Sequence, residues 1–512
     1  MLMSSAEYRE SLRRYTPRVF VNGRRVENVA DEPLFTPGLN AIGLTYDFAR
    51  DPQHRPLMLA TQATTGKTVN RMLHIGETAQ DLLYKLEAVR LLCRHSGCAQ
   101  RYLTHDALNA VFQATHRIDA DRGTDYHARF LAYLHRVQDE DLTLGVAMTD
   151  AKGDRSKRPH QQSEPDSYVH IVERRPGGIV IRGTKAIVTA APYVHEFLVM
   201  PCRSMGPEDV NFAVCCAVPL DAEGLTIVAR PAGRPGESGA TFSGRYGQST
   251  GVVLFDDVFV SDDRVFLAGE HEHSGFLATT YATHHRHSCI AARAGFGDLL
   301  IGAGALMVEA NGLDPDRHGH VRDAMVDLIK IVEGFFACGV AASVYGQKDS
   351  AGNIQPETVF ANVGKLLLAT QIYDMHRLAH YVSGGLIVAL PGPDEDHNPE
   401  TAASLSQVLA GRPDIPADQR LAVARLLEDV TASYAGSWYS LISLHGGGSP
   451  EAMKREIWRH YPVGERAELV ERLLDRGVTS DTARRLDRQP GRCCVQGCDA
   501  PEPAATAAQA AE

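Results

Sequence analysis

The feature that most constrains this chain is a stretch between about residues 142 and 270. It carries short segments rich in Val, Ile and Phe with no helical spacing among them. Tyr168–Val172, Gly178–Arg182, Phe197–Met200, Asn211–Pro219 and Gly251–Val260 read as strands, separated by Pro/Gly-rich breaks such as Arg174–Gly178 and Arg230–Gly239. Strands that follow one another without helices predict a β-barrel or sandwich, not a parallel βαβ sheet. No GxGxxG follows a strand and no Walker sequence occurs, so neither common phosphate-loop fold is expected.

On both sides of this run the apolar spacing is helical. Thr78–Cys93 and Asp106–His116 repeat apolar residues at three and four, with Asp106 expected as an N-cap. After about Ser274, four long segments keep the helical period: His285–Ala310, His320–Tyr345, Pro356–Val382 and Pro416–Leu441. Successive long helices predict a bundle. The loop Leu390–Glu400 reads as a surface connection. The expected organisation is α+β: an N-terminal helical domain (1–141), a middle β-barrel domain (142–273), a C-terminal helical bundle (274–480) and a disordered Ala/Pro/Glu-rich tail (481–512).

Composition narrows the function classes. Lys and Arg number 52 against 63 Asp and Glu, a net charge of −11, which argues against nucleic acid as partner. The N-terminus lacks an apolar signal core. The apolar stretch Gly295–Val308 is interrupted by Asp298 and is too short for a bilayer, so it reads as a buried helix and no membrane partner is expected. Ten cysteines without dense spacing fit reduced thiols and cytoplasmic residence. Cys493, Cys494 and Cys498 lack the spacing of a zinc site.

Three segments carry chemical information. Met148–Arg155 (MTDAKGDR) and the following SKRPHQQ sit at the entry to the strand region. Their hydroxyl, backbone N–H and cationic groups suit a flavin and its pyrophosphate, or equally a charged surface turn. Gly183–Ala190 (GTKAIVTA) offers a Thr that could bond a flavin ring, or is an ordinary strand edge. His445–Pro450 (HGGGSP) allows close backbone approach to a ligand, or is a helix C-cap and turn.

Taken together, these segments resemble the 4-hydroxyphenylacetate 3-hydroxylase / 4-hydroxybutyryl-CoA dehydratase flavoprotein family, nearest its dehydratase branch. The resemblance runs from about Tyr8 to Val478. It is strongest in AMTDAKGDR (Ala147–Arg155), IVERRPGGIVIRGTKA (Ile171–Ala186), VLFDDVFVSDDRVFL (Val253–Leu267) and the run from His285 to Ala303. It implies an acyl-CoA dehydrogenase-like fold, a homotetramer and FAD, or FADH2 from a separate flavin reductase. The implied cofactor residues are Met148, Thr149, Asp150, Lys152, Gly153, Asp154, Arg155, Ile187, Thr189, Ala190 and Ser443.

The resemblance also shows what this chain has exchanged. The dehydratase branch holds a [4Fe–4S] cluster on three Cys and one His. Two of those positions keep their ligands, as Cys98 and His285, and two hold Tyr102 and Ala292. The expectation is no metal. A rearranged site on Cys93, Cys98, His285 and Cys289 is the rival, since His285 and Cys289 stand at i,i+4. The branch's two glutamates fall on Thr250 and Ile442, its Tyr on Cys289 and its Lys on Arg293, while its Gln is kept as Gln100. Proton removal and hydroxide loss need positioned acid/base groups that Thr and Ile lack.

The expected catalytic residues are His285, Gln100, Tyr102 and Arg293. His285 suits a general base or a hydrogen-bond partner for a phenolic oxygen, and is otherwise a satisfied core His. Arg293 would meet a substrate carboxylate or an intersubunit acid. His284 and His287 are expected at solvent or an interface. The leading expectation is the oxygenase component of a two-component FADH2-utilising monooxygenase acting on an aromatic or related small molecule. The alternative is a cluster-free flavin lyase, isomerase or dehydrogenase on a CoA- or carrier-linked acyl substrate.

Overall fold

The computed structural model describes residues 2–475 and Gly477, so the expected disordered tail and the Cys493–Cys498 group lie outside the described residues. One compact unit runs to Ile457 and a second begins at Trp458. The second contains the helix Val463–Leu473.

Six helices precede the central strands. They are α1 (Ser5–Leu12), α2 (Thr36–Arg50), α3 (Arg55–Met58), α4 (Ala79–Ser96), α5 (Tyr102–Arg122) and α6 (Tyr126–Asp139). Thr78 caps α4 through a capping box with Asp81, and Gly97 at φ +67° ends it. The start of α5 corrects the expectation for Asp106. Arg101 holds the N-cap position, and Asp106 lies inside the helix, fully buried, because its carboxylate serves neighbouring helices instead of the α5 terminus.

The strands before the C-terminal helices are β1 (Arg18–Val21), β2 (Arg24–Arg25), β3 (Leu59–Thr61), β4 (Thr68–Asn70), β5 (Leu144–Ala147), β6 (His170–Arg175), β7 (Gly178–Thr189), β8 (Glu196–Val199), β9 (Val214–Pro219), β10 (Leu225–Ala229), β11 (Thr250–Ser261) and β12 (Val265–Ala268). The small hairpin β3–β4 stands apart from two larger sheets, ordered β2-β1-β10-β11-β7-β6 and β12-β9-β8-β5. No sheet among the described residues closes on itself, so the expected barrel is two open sheets. Only a single bridge, Asp150 to Lys185, joins the chain after β5 to β7. The first sheet takes its far edge from the N-terminus, where β1 pairs parallel with β10 (Arg18 opposite Thr226).

The C-terminal helices are α7 (His271–Ala310), α8 (Gly319–Val344), α9 (Thr358–Val382), α10 (Ala402–Val408), α11 (Ala417–Thr431), α12 (Tyr434–His445) and α13 (Pro450–His460). The single helix expected over Pro416–Leu441 is two. Ser433 caps α12 by accepting from the Ala435 and Gly436 amides, which turns the chain between α11 and α12. Helix α7 is packed by α4, α5, α8 and α9. It is long and apolar enough to cross a membrane, but 67% of its most apolar window is buried inside the protein, as in a core helix.

Candidate functional site

Residues four apart on a helix share a face. On α7 this places His285, Cys289 and Arg293 on one ridge, all buried. The ridge forms one wall of a narrow cavity. Gln100 and Tyr102 come from the start of α5, Thr189 from the end of β7 and Ser443 from α12. All four expected catalytic residues and two of the expected cofactor residues therefore meet in one place. Leu103, Leu368 and Ile442 supply apolar wall, and Lys365 of α9 adds a cation.

The imidazole of His285 lies between two near-parallel phenol rings, Tyr281 at 5.4 Å and Tyr102 at 6.1 Å. Its Nδ1 is 3.2 Å from Asp106 Oδ2, and its Nε2 is 3.5 Å from Cys289 Sγ. Asp106 also accepts from Ser288 Oγ at 2.7 Å and from Lys85 Nζ at 3.4 Å. Burial alone would raise the Asp106 pKa, but the Lys85 charge and the His105 and His285 hydrogen bonds hold it well below the carboxylate range. Burial would likewise lower that of His285, yet Cys289 and Asp106 lift it to about 10. This corner behaves as an imidazolium between two acids.

The other corner centres on Cys98. Gln100 Nε2 and the Tyr102 hydroxyl each stand 3.5 Å from its sulfur, and Arg293 Nη2 donates from 3.6 Å. Against the burial penalty, Cys93 and Arg293 pull the Cys98 thiol below its usual range, while burial pushes Cys93 well above. Burial also pushes Lys365 down to about 8, and its Nζ donates to the Ser443 carbonyl at 2.6 Å.

Two polar atoms of the cavity residues have no protein partner: Gln100 Oε1 and Arg293 Nη1. Both residues are about nineteen-twentieths buried, at 5% and 4% exposure. Buried polar groups are nearly always paired, so an acceptor and a donor left over at one cavity point to a ligand. Arg293 lines the cavity. His284 and His287, expected at solvent or an interface, are fully buried, and His287 Nε2 is 2.7 Å from Ser343 Oγ.

The rest of the expected cofactor set lies in the loop after β5 and at the end of β7, beside the cavity instead of in it. Asp150 is committed inward, to Lys185 Nζ at 2.8 Å and to the Val169 amide at 3.0 Å. Lys185 also donates to the Met148 and Met200 carbonyls, so Met148 and Asp150 anchor the loop. Thr149 accepts from the Ala186 amide through its carbonyl. Lys152 (φ +73°) and Gly153 (φ +47°) turn the chain through the left-handed region, and Asp154 and Arg155 are exposed beyond them. A side chain at Gly153 would meet Gln162 Oε1 at 2.5 Å. Ile187 (φ +62°) is 57% exposed, an apolar face pointing outward, between buried Lys185 and Thr189, and Ala190 is again left-handed at φ +59°.

The iron–sulfur ligand set does not fit. The methyl of Ala292 cannot bind iron, and the Tyr102 hydroxyl bonds Cys98. Cys98 faces Arg293 while His285 faces Asp106. Among the described residues, no three His, Cys, Asp or Glu side chains are placed to hold one metal ion. Sequence reasoning missed Asp106 and Lys365 as site residues and weighed Cys289 only as a ligand. A lone Lys in the apolar period of α9 (VGKLLLA) was the available signal for Lys365.

Residues 4–267 match the N-terminal model of the 4-hydroxyphenylacetate 3-hydroxylase family and residues 274–475 match its C-terminal model. The chain belongs to this family. Within the 4-hydroxyphenylacetate 3-hydroxylase family it is 36% identical, over 92% of its length and 99% of the relative's, to 4-hydroxybutyryl-CoA dehydratase/vinylacetyl-CoA-Δ-isomerase of Clostridium aminobutyricum. It is 26% identical to the oxygenase component of 4-hydroxyphenylacetate 3-monooxygenase of Thermus thermophilus, over 90% of this chain and 95% of that one. The structure of an oxygen-tolerant archaeal 4-hydroxybutyryl-CoA dehydratase from N. maritimus superposes with a TM-score of 0.90 at 34% identity, covering 96% of this chain and 97% of that one. An FAD complex of a 4-hydroxyphenylacetate 3-monooxygenase oxygenase component superposes at 0.81 with 24% identity, covering 92% and 98%, and shares the fold.

Proposed function

We propose that this chain is a flavin-dependent enzyme, the oxygenase component of a two-component monooxygenase that hydroxylates a small aromatic or related molecule. The observation that carries this reading is the cavity itself. It is small, walled partly by Leu103, Leu368 and Ile442, provided with Thr189 and Ser443, and left with two unpaired polar atoms, Gln100 Oε1 and Arg293 Nη1. The donor set for an iron–sulfur cluster does not fit beside it, and the Thermus thermophilus relative is named as an oxygenase component.

FAD would be held by the Met148–Arg155 loop, by Ile187, Thr189 and Ala190, and by Ser443. Once bound in reduced form, from a separate reductase, it supplies the electrons that activate oxygen. The chain's own groups do the positioning. Asp106 fixes the His285 ring, whose protonated Nε2 edge can donate to a phenolic oxygen. Arg293 and Gln100 offer the substrate one donor and one acceptor. The aliphatic wall keeps water from the reacting atoms. Cytoplasmic residence and a homotetramer belong to the same proposal. Free thiols at all seven described cysteines accord with the first.

A second reading is favoured by the higher identity to the Clostridium aminobutyricum dehydratase: a cluster-free flavin lyase, isomerase or dehydrogenase on a CoA- or carrier-linked acid. One experiment separates the two. Anaerobically purified protein is given FADH2 and a panel of phenols with and without oxygen, and in parallel 4-hydroxybutyryl-CoA without oxygen or reductant. Oxygen-dependent hydroxylation supports the oxygenase, and anaerobic conversion of the thioester replaces it with the second reading. Stoichiometric iron and acid-labile sulfide in the same preparation would overturn both.

A further inference from the structure

We propose that Cys289, His285 and Asp106 form a nucleophile–base–orienter triad, and that Cys289 adds covalently and reversibly to an α,β-unsaturated carbonyl compound bound in the cavity. Three side chains carry this. Cys289 Sγ lines the cavity and stands 3.5 Å from His285 Nε2. His285 Nδ1 stands 3.2 Å from Asp106 Oδ2. Asp106 is itself locked by Ser288 at 2.7 Å. A thiol, an imidazole in reach of it and a carboxylate holding the far ring nitrogen are the geometry that activates a nucleophile. The i,i+4 spacing on α7 and the flanking rings of Tyr281 and Tyr102 keep the imidazole aligned with the sulfur.

The substrate class follows from what else faces the sulfur. The buried, unpartnered Arg293 Nη1 lies one helical turn beyond Cys289, and Lys365 lines the same cavity. Positive charge next to a nucleophile stabilises an oxygen that becomes negative during attack. In the step, the Cys289 thiolate, held beside the His285 imidazolium, bonds the β-carbon through its sulfur. The C=C π pair moves to the carbonyl as an enolate held by Arg293 and Lys365. His285 then gives its Nε2 proton to the α-carbon and is left neutral. One C–S and one C–H bond form, the N–H and the C=C π bond are lost, and no oxidant or reductant is needed. The addition makes no use of flavin, so its test stands apart from that of the proposed monooxygenase activity.

The intact protein is treated with methyl vinyl ketone, a small unsaturated ketone, and separately with iodoacetamide, a saturated alkylator. Adducts are timed by peptide mass spectrometry. Cys338, half-buried with its thiol directed at the Gly334 carbonyl, is the internal reference. Cys289 is expected to take up the ketone at least roughly tenfold faster than Cys338. His285→Gln and Asp106→Asn should each erase that preference while leaving the Cys338 rate unchanged, which general loosening of the fold would not do. Arg293→Gln should lower the preference for the ketone and leave that for iodoacetamide. Should Asp106→Asn fail to fold, His285→Gln carries the test. Cys289 reacting no faster than Cys338, a preference unmoved by His285→Gln, or equal preference for the two reagents would overturn the proposal.

Discussion

Asp106 is the residue on which the site turns. It sits fully buried against Lys85, which is also fully buried. Removing one member of a buried ion pair strands the other, at a cost of about 3–5 kcal/mol. Asp106→Asn should therefore lower the urea midpoint sharply, and adding Lys85→Met should restore much of the loss by removing the stranded ammonium. A double variant no more stable than the single one would show that the pair is not the source. This residue also marks the limit of what a sequence reveals. His285 was legible from its place in the HRHS run, whereas its partner lies 179 residues away. Asp106 before an apolar stretch looks like a helix cap, and only tertiary packing shows that it is an interior acid. Cys289 was visible by its i,i+4 spacing from His285, but that spacing cannot tell a metal ligand from a thiol beside a base.

Helices were the most legible elements, because their apolar period spans many turns. The expected α4, α8 and α9 agree with the structure to within about three residues at either end. Ends were less legible. Helix α7 begins 14 residues before the expected His285 start, through Ser-, Thr- and Gly-containing sequence of low helical propensity that burial overrides. Its close approach to α4 occurs at Gly295, where an added Cβ would meet the Arg90 carbonyl oxygen, the Arg94 amide nitrogen at 2.7 Å and Cys93 Cβ at 2.9 Å. Gly295→Ala should cost about 1–3 kcal/mol by forcing the two helices apart. Gly302, two turns on, has nothing within 4 Å, so Gly302→Ala should stabilise by about 0.5–1 kcal/mol through helix propensity alone. Opposite shifts in thermal midpoint are the expected result, and two shifts of the same sign would refute the contrast.

Across the whole molecule, buried histidines set the response to acid. Burial lowers His195 and His284 to about 3, and His74, His105 and His376 to about 4, from an ordinary 6.5. Unfolding frees each to take a proton, so below pH 6.5 the unfolded state binds more protons than the folded one. Their contribution is full above pH 6.5 and is lost as pH falls towards 4. His285 runs the other way, its stabilisation complete below pH 6.5 and lost as pH rises towards 10. Five outweigh one, so the urea midpoint should fall between pH 7.5 and pH 5, before most carboxylates titrate. A flat profile over that window would contradict the burial. At this scale the helix–strand–helix order was legible, but sheet closure was not. Strand pairing depends on partners as remote as Arg18 and Thr226, which no local pattern reports. The ridge on α7 has a final consequence. Residues 285, 289, 292 and 293 occupy little more than two turns of one helix pinned at Gly295, so exchanging their side chains presents different reactive groups at fixed coordinates. Point substitution on such a helix changes the chemistry offered to the cavity while the scaffold stays an unmoving rack for interchangeable tools.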